Sequence, residues 1–519
     1  MPSPRMQKLL EREMSRKEFL AFGAFAVASI FGIVGLIRQL TSHAATPAVS
    51  TEAEDGTVQT PATIVTDSTA SGGGAVKFGS TTADAKWTDA NPPWALKASE
   101  SVDDNRPAGV NVISYDSYSN NGARSFGQTL AAIRTAATAP YYVRMSAGTF
   151  HVTDFSFASS TAGQGKGYQD VNATKYFGGL IGAGADKTFV VVDPNIMTST
   201  QYDAVASGTP SPVAITTIYA GGSALTIPTF FSGITFRGNF QQSVTLSGLS
   251  GTAPAPYSGL SLTSAKPGSF IQFCRFQGFA FAAKNSPPYE LGAIGSTHSS
   301  YTTRRVEIDG RLAKEINAAQ PVSSGGLMWN YENNVKVIDS WLHHTRRSGW
   351  AMHDHATSEG GNASDPGIYY GENFQTEHQC DTTDGYAGSS LGFACSNVEE
   401  MRQSFTYVKP RFNLPATTTA HISIATSNGN TMANSISITD PIIEDNAKGG
   451  CLIVRIVKKP NSTGTSPFYS PYFDTYTSGG FAALPITVTQ AGTTLTPILS
   501  TSYNATTHTP NKYYVVIVA

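Results

Sequence analysis

Four short segments of this 519-residue chain share one rhythm: FSGITFRGN (231–239), FIQFCRFQG (270–278), VKVIDSWLH (335–343) and ISITDPIIEDN (436–446). Each alternates apolar residues over four or five positions, breaks at a polar or glycine turn, and resumes apolar. Stacked parallel coils need this pattern, because each short strand buries one face inside and lies on the coil below. The spacing is irregular, so loops protrude between coils. Hairpin signals such as Asn-Gly do not recur between matched strands, which favours a solenoid. A β-sandwich or a propeller is the competing architecture.

Composition agrees with a turn-rich β protein. With 49 glycines, 28 prolines and only 14% charged residues, a helical bundle is disfavoured, while 40% hydrophobic content argues against a disordered chain. The net charge is −2; the first 40 residues hold six basic and three acidic groups (+3), leaving −5 for the rest. A mildly acidic body has no electrostatic footprint for nucleic acid, and no nucleic-acid partner is expected.

The start of the chain carries an address. Basic residues precede an uncharged stretch of 19 residues, Phe19 to Ile37, which suits a signal core or a membrane span. The entry SRKEFL resembles the twin-arginine export signal, with Lys17 at the second arginine position. Ser42-His43-Ala44 fits a small-x-small cleavage site, and a retained anchor is the alternative. Residues 1–45 are therefore read as export signal or anchor. The protein is expected to be secreted or at the cell surface, touching a membrane only through 19–37 if uncleaved. Export into an oxidising compartment makes a disulfide between Cys380 and Cys395 an expectation, while Cys274 and Cys451 lie in apolar strand patterns and read as buried thiols.

Residues 46–105 read as a linker. Within it, EAEDGTVQTPATIVTDSTASGGGAVKFG (52–79) resembles the opening of β-sandwich carbohydrate-binding modules, and is read as a remnant or a strand pair packed on the main domain. From Gly109 the order is a strand, a Gly/Asn turn, a helix over 126–137 with Leu130, Ile133 and Ala136 on one face, a strand, and Gly-Thr-Phe. This order resembles the N-terminal cap of right-handed parallel β-helix proteins of the pectate-lyase type, and GGLIGAGADKTFVVVDP (178–194) looks like their next coil. The resemblance implies an all-β fold, a right-handed parallel β-helix over 106–460 capped by that helix. Residues 461–519 would form terminal coils or a small β cap.

The polar signal is concentrated in HHTRRSGWAMHDH (343–355), with four of the ten histidines. Residues two apart on a strand share a face, so His353 and His355 should point together while His343 and His344 diverge. Three readings stay open. One is a metal site completed from another coil. Another is an acid/base site with Arg346 and Arg347 clamping a sugar carboxylate and Trp350 against the substrate. The third is a polar turn whose histidines satisfy backbone groups.

Further on, Thr382-Thr383-Asp384, Glu399-Glu400, His421 and Arg455-Ile456-Val457-Lys458 follow an order that resembles polygalacturonases. The resemblance implies acid/base roles for Asp384, Glu399, Glu400 and His421, and substrate binding by Arg455 and Lys458. The sequence departs from that pattern: glutamates replace the aspartate pair, His421 lacks flanking glycines, and a residue intervenes before Lys458. Carboxylate separation matters to inverting hydrolysis, so the longer side chains change the geometry. Lyase chemistry is the other β-helix option and admits calcium, although no cofactor is required. The expectation is an exported hydrolase or lyase acting on an extracellular, acidic polysaccharide. A non-catalytic adhesin resembling phage-tail β-helices is the alternative, and the resemblance allows a homotrimer.

Overall fold

A computed structural model describes residues 62–66, 74–78, 86–153, 177–192, 213–218, 227–238, 257–263, 265–281, 293–297, 299–310, 324–325, 328–331, 334–345, 350–353, 368–378, 389–395, 404–413, 420–426, 435–444, 450–458, 486–500 and 512–518. The chain forms two compact units, Met1–Ala85 and Lys86–Ala519. In the first, Ala62–Thr66 pairs antiparallel with Gly74–Phe78, Ala62 opposite Phe78. Both strands fall within the segment 52–79. Among the described residues no helix is long and apolar enough to cross a membrane, and residues 19–37 lie outside them.

The second unit is built from three long sheets of twelve, nine and ten strands, here called A, B and C. Successive coils add one strand to each: Ser300–Arg304 to A, Glu307–Asp309 to B, Met328–Tyr331 to C, then Asn334–Ile338 to A again. Apart from a short turn-back at Thr493–Thr494 at the end of sheet A, the pairings within these sheets are parallel. That arrangement is an all-β solenoid and removes the sandwich and propeller alternatives, whose sheets are antiparallel.

Alternation decides which residues fill the interior. In sheet A, Phe231, Ile271, Thr303, Val337, Gly371, Tyr407, Ile438 and Val488 stand in one register row, and all are buried. Gly371 makes room for its neighbours: a Cβ there would meet Phe374 at 2.5 Å and Tyr407 at 2.8 Å. Aromatic rings fill the space around it, with Trp350 edge-on to Tyr369, Phe374 and Tyr407.

The four repeating segments are the A-to-B corners. Gly233, Phe273, Arg305, Asp339, Asn373, Lys409 and Asp440 occupy the same corner in successive coils, each left-handed, with φ between 48° and 68°. Their N–H groups donate to a carbonyl at the end of the A strand of the next coil, from Gly233 on Gln272 O to Asp440 on Thr489 O. A left-handed residue other than glycine costs about 1–2 kcal/mol, which this ladder of paired corners offsets.

The expected helix is present as α1, Phe126–Ala136, one residue shorter than the expected 126–137, and runs between the first two strands of sheet A. Ser125 and Gln128 close a reciprocal capping box, and Phe126, Leu130 and Ile133 are buried over the first coil. Ala136 was expected on that apolar face but is exposed; Ala137, just past the helix, is buried instead. Parallel pairing continues past residue 460: Ile486–Gln490 lies on Ser435–Thr439, and Tyr513–Val518 on Leu452–Lys458. Residues 461–519 thus include terminal coils. Residues 86–105, expected in the linker, belong to the solenoid unit because their side chains and carbonyls dock on it.

Candidate functional site

The outer face of sheet B gathers the charged residues. Two register rows run outward across the coils: Thr235, Arg275, Glu307, Trp341, Gln375 and Arg411, and beside it Arg237, Gln277, Asp309, His343, Glu377 and Asn413. Alternation accounts for this, since the intervening Phe236, Phe276, Ile308, Leu342 and Phe412 point into the core.

At its centre Arg275 Nη2 lies 3.0 Å from Asp309 Oδ2 and 3.2 Å from Glu307 Oε1. His343 Nε2 is 3.0 Å from the same Glu307 oxygen, and Trp341 stacks on the imidazole at 3.7 Å between ring centroids. His343 Nδ1 faces His344 Nδ1 at 2.7 Å. The expected divergence of the two histidines does not occur. His344 is left-handed (φ 53°) within a bulge that shifts the register after His343, so strict alternation fails at that residue.

Residues 87–105 cover this face. Trp94 donates its indole N–H to Glu307 Oε2, and Gln375 pairs with the Trp87 backbone. Arg305 reaches through to the carbonyls of Pro93 and Ala95 and grips both oxygens of Glu100. Glu307, Asp309 and His343 are consequently 1%, 2% and 0% exposed. These carboxylates are oriented by hydrogen bonds and shut away from bulk solvent.

Sheet A presents a different outer face. Phe270, Thr302, Lys336, Tyr370, Thr406, Ser437 and Thr487 form one row of half-buried or exposed residues, one per coil. Tyr370 donates to Glu372 at 2.8 Å; partial burial, and then the adjacent carboxylate, push its phenol up to about 12.

The described residues among those expected from sequence, Trp350, His353, Cys395, His421, Arg455 and Lys458, lie on sheet C. His353 ends the strand Trp350–His353, three strands along the sheet from Leu452–Lys458, which carries Arg455 and Lys458. In register, Ala351 and Arg455 belong to one row and His353 and Val457 to the next but one, so His353 and Arg455 have the same parity. Two expectations are corrected. Trp350 is 0% exposed and packed among core aromatics, so it offers no face to a substrate. His421 is also 0% exposed, and its Nδ1 accepts the Ile453 N–H at 2.9 Å; it satisfies the backbone rather than acting as an acid or base. Arg346, Arg347, His355, Cys380, Asp384, Glu399 and Glu400 lie outside the described residues, and Cys395 ends the strand Ser389–Cys395. Cys274 and Cys451 are buried free thiols, as expected.

The sequence reading passed over Glu307, Asp309, Arg275 and Trp94. The Glu-x-Asp spacing of 307–309 placed both acids on one strand face, but only the coil register brings His343 beside Asp309.

No family model matches this sequence, and no curated protein matches it. Among solved structures, one described as "Geobacillus virus E2 - ORF18" is similar with a TM-score of 0.30 and 10% identity, covering 64% of this chain and 57% of that one. A second, described as "Crystal structure of Agl-KA catalytic domain", has a TM-score of 0.32 and 13% identity, covering 82% of this chain and 70% of that one. The chain thus spans somewhat over half the length of the viral protein.

Proposed function

We propose that the chain is an exported right-handed parallel β-helix of the pectate-lyase type that acts on an extracellular polysaccharide lying along the outer face of sheet A. The row Thr302, Lys336, Tyr370, Thr406, Ser437 and Thr487 carries this reading. It repeats hydroxyls, an ammonium and a phenol ring at the strand spacing of about 4.8 Å, close to the length of one sugar residue in a chain. Lys336 is exposed and suits an acidic sugar.

Hydrolase or lyase chemistry falls to His353, His355, Glu399 and Glu400, with Asp384. His355 and the two glutamates lie, in chain order, between a sheet C strand and the sheet A strands bearing Tyr370 and Thr406. Arg346, Arg347, Arg455 and Lys458 are the partners for a substrate carboxylate. Calcium belongs to the lyase form alone, and a homotrimer is compatible with either.

A glycan-binding protein without chemistry is the second reading. One observation favours it: the acid–imidazole cluster of Glu307, Asp309 and His343 is sealed and internally bonded. The test is to incubate the purified chain with acidic and neutral polysaccharides, reading reducing ends, unsaturated-product absorbance and binding together. Product formation establishes the enzyme, and which signal appears separates hydrolase from lyase. Binding lost in Tyr370→Ala, with no product, establishes the second reading. A chain that neither binds nor cleaves across the panel overturns both.

A further inference from the structure

We propose that Asp309, His343 and His344 form a binding site for a divalent first-row transition ion of the zinc class, held against the outer face of sheet B. One carboxylate oxygen and one nitrogen from each imidazole lie within 4.8 Å of one another. The set is of the mixed nitrogen and oxygen kind that such ions take.

The site is built rather than coincidental. Glu307 Oε1 lies 3.0 Å from His343 Nε2. A carboxylate accepts, so it fixes the proton on Nε2 and turns the Nδ1 lone pair towards His344 and Asp309. A carboxylate behind the far nitrogen of a ligating histidine is the usual way metal sites set tautomer and ring plane. Trp341, stacked 3.7 Å from the His343 ring, locks that plane. Arg275 binds Asp309 through Oδ2, and Asp309 Oδ1 lies 4.0 Å from His343 Nδ1.

The distances also say what binding must do. Around a tetrahedral ion with nitrogens at about 2.05 Å, two ligand nitrogens stand about 3.3 Å apart. The 2.7 Å contact between the two Nδ1 atoms must therefore open, and the 4.0 Å gap to Asp309 must close. The adjustment falls to His344, which is half-buried and sits in the bulge, whereas Glu307 and Trp341 hold His343. The ion displaces the single proton that the two Nδ1 atoms share, and a neutral His344 then carries that proton on Nε2.

The experiment uses the full chain, stripped with chelator, dialysed against zinc and measured for bound metal by elemental analysis. Cobalt substitution provides a spectroscopic readout. The expected result is one zinc per chain, a tetrahedral cobalt spectrum, loss of both in His344→Ala, and an affinity about 10- to 100-fold weaker in Glu307→Gln. His151→Ala, an exposed histidine elsewhere, should bind as the parent does. Circular dichroism monitors the fold of each variant. Absence of stoichiometric zinc in the folded parent chain overturns the proposal, as does zinc binding that survives His344→Ala.

Discussion

The side-chain amide of Gln375 closes two hydrogen bonds on the backbone of Trp87, accepting from its N–H at 2.8 Å and donating to its carbonyl at 3.0 Å. The amide thereby imitates a neighbouring strand, and ties residues 86–105 to a sheet B position 288 residues later. Gln375→Ala leaves both Trp87 groups without that partner, at about 1–3 kcal/mol for each buried unsatisfied group. Limited proteolysis should then cut within 86–105 well before the solenoid, and hydrogen exchange there should accelerate. Unchanged protection would mean that the Arg305 and Trp94 contacts hold the segment without it.

Gly371 tests the interior packing. A methyl group there would meet Phe374 at 2.5 Å and Tyr407 at 2.8 Å, both inside the close-packed aromatic cluster. Gly371→Ala is expected to destabilise by about 1–3 kcal/mol, the usual range for overpacking. A lowered thermal midpoint with an unaltered far-ultraviolet spectrum checks it.

The capping helix can be weakened at a single hydroxyl. Ser125→Ala removes the acceptor of the Gln128 N–H, at about 1 kcal/mol. Exchange should rise in the first turn of α1 and leave sheet B unchanged.

Alkaline pH should erode stability through groups that burial keeps protonated. Burial raises the Cys274 thiol from 9.0 to about 12, and Tyr370 rises from 10.0 to about 12 through burial and then Glu372. The unfolded chain loses these protons near pH 9 and 10, while the folded chain holds them to about 12. The folded state therefore binds more protons in that window, and stability falls as pH rises through it. Cys274→Ala should flatten the decline between pH 9 and 12 in urea midpoints; an identical slope would remove Cys274 from the account.

Much of the scaffold was legible in local sequence. The four repeating segments encode alternation plus a turn, and the helix announces itself through the apolar spacing of Leu130 and Ile133. The candidate site was far less legible. Trp350 looked like a sugar-stacking residue and is core, because its strand parity points it inward. His343 and His344 looked divergent and meet, because a bulge breaks the alternation on which that expectation rests.

The sequence by itself determined the alternation of the four repeating segments, their turns and the N-terminal helix, since each depends on residues within one or two turns of chain. Only the tertiary structure decided which polar residues are neighbours. Glu307 and His343 are 36 residues apart, and Trp94 reaches Glu307 across 213. Loops of irregular length separate the coils, so no fixed period predicts which residue stacks on which. Interstrand hydrogen bonding sets that register, and with it the place where Glu307, Asp309 and the histidine pair meet.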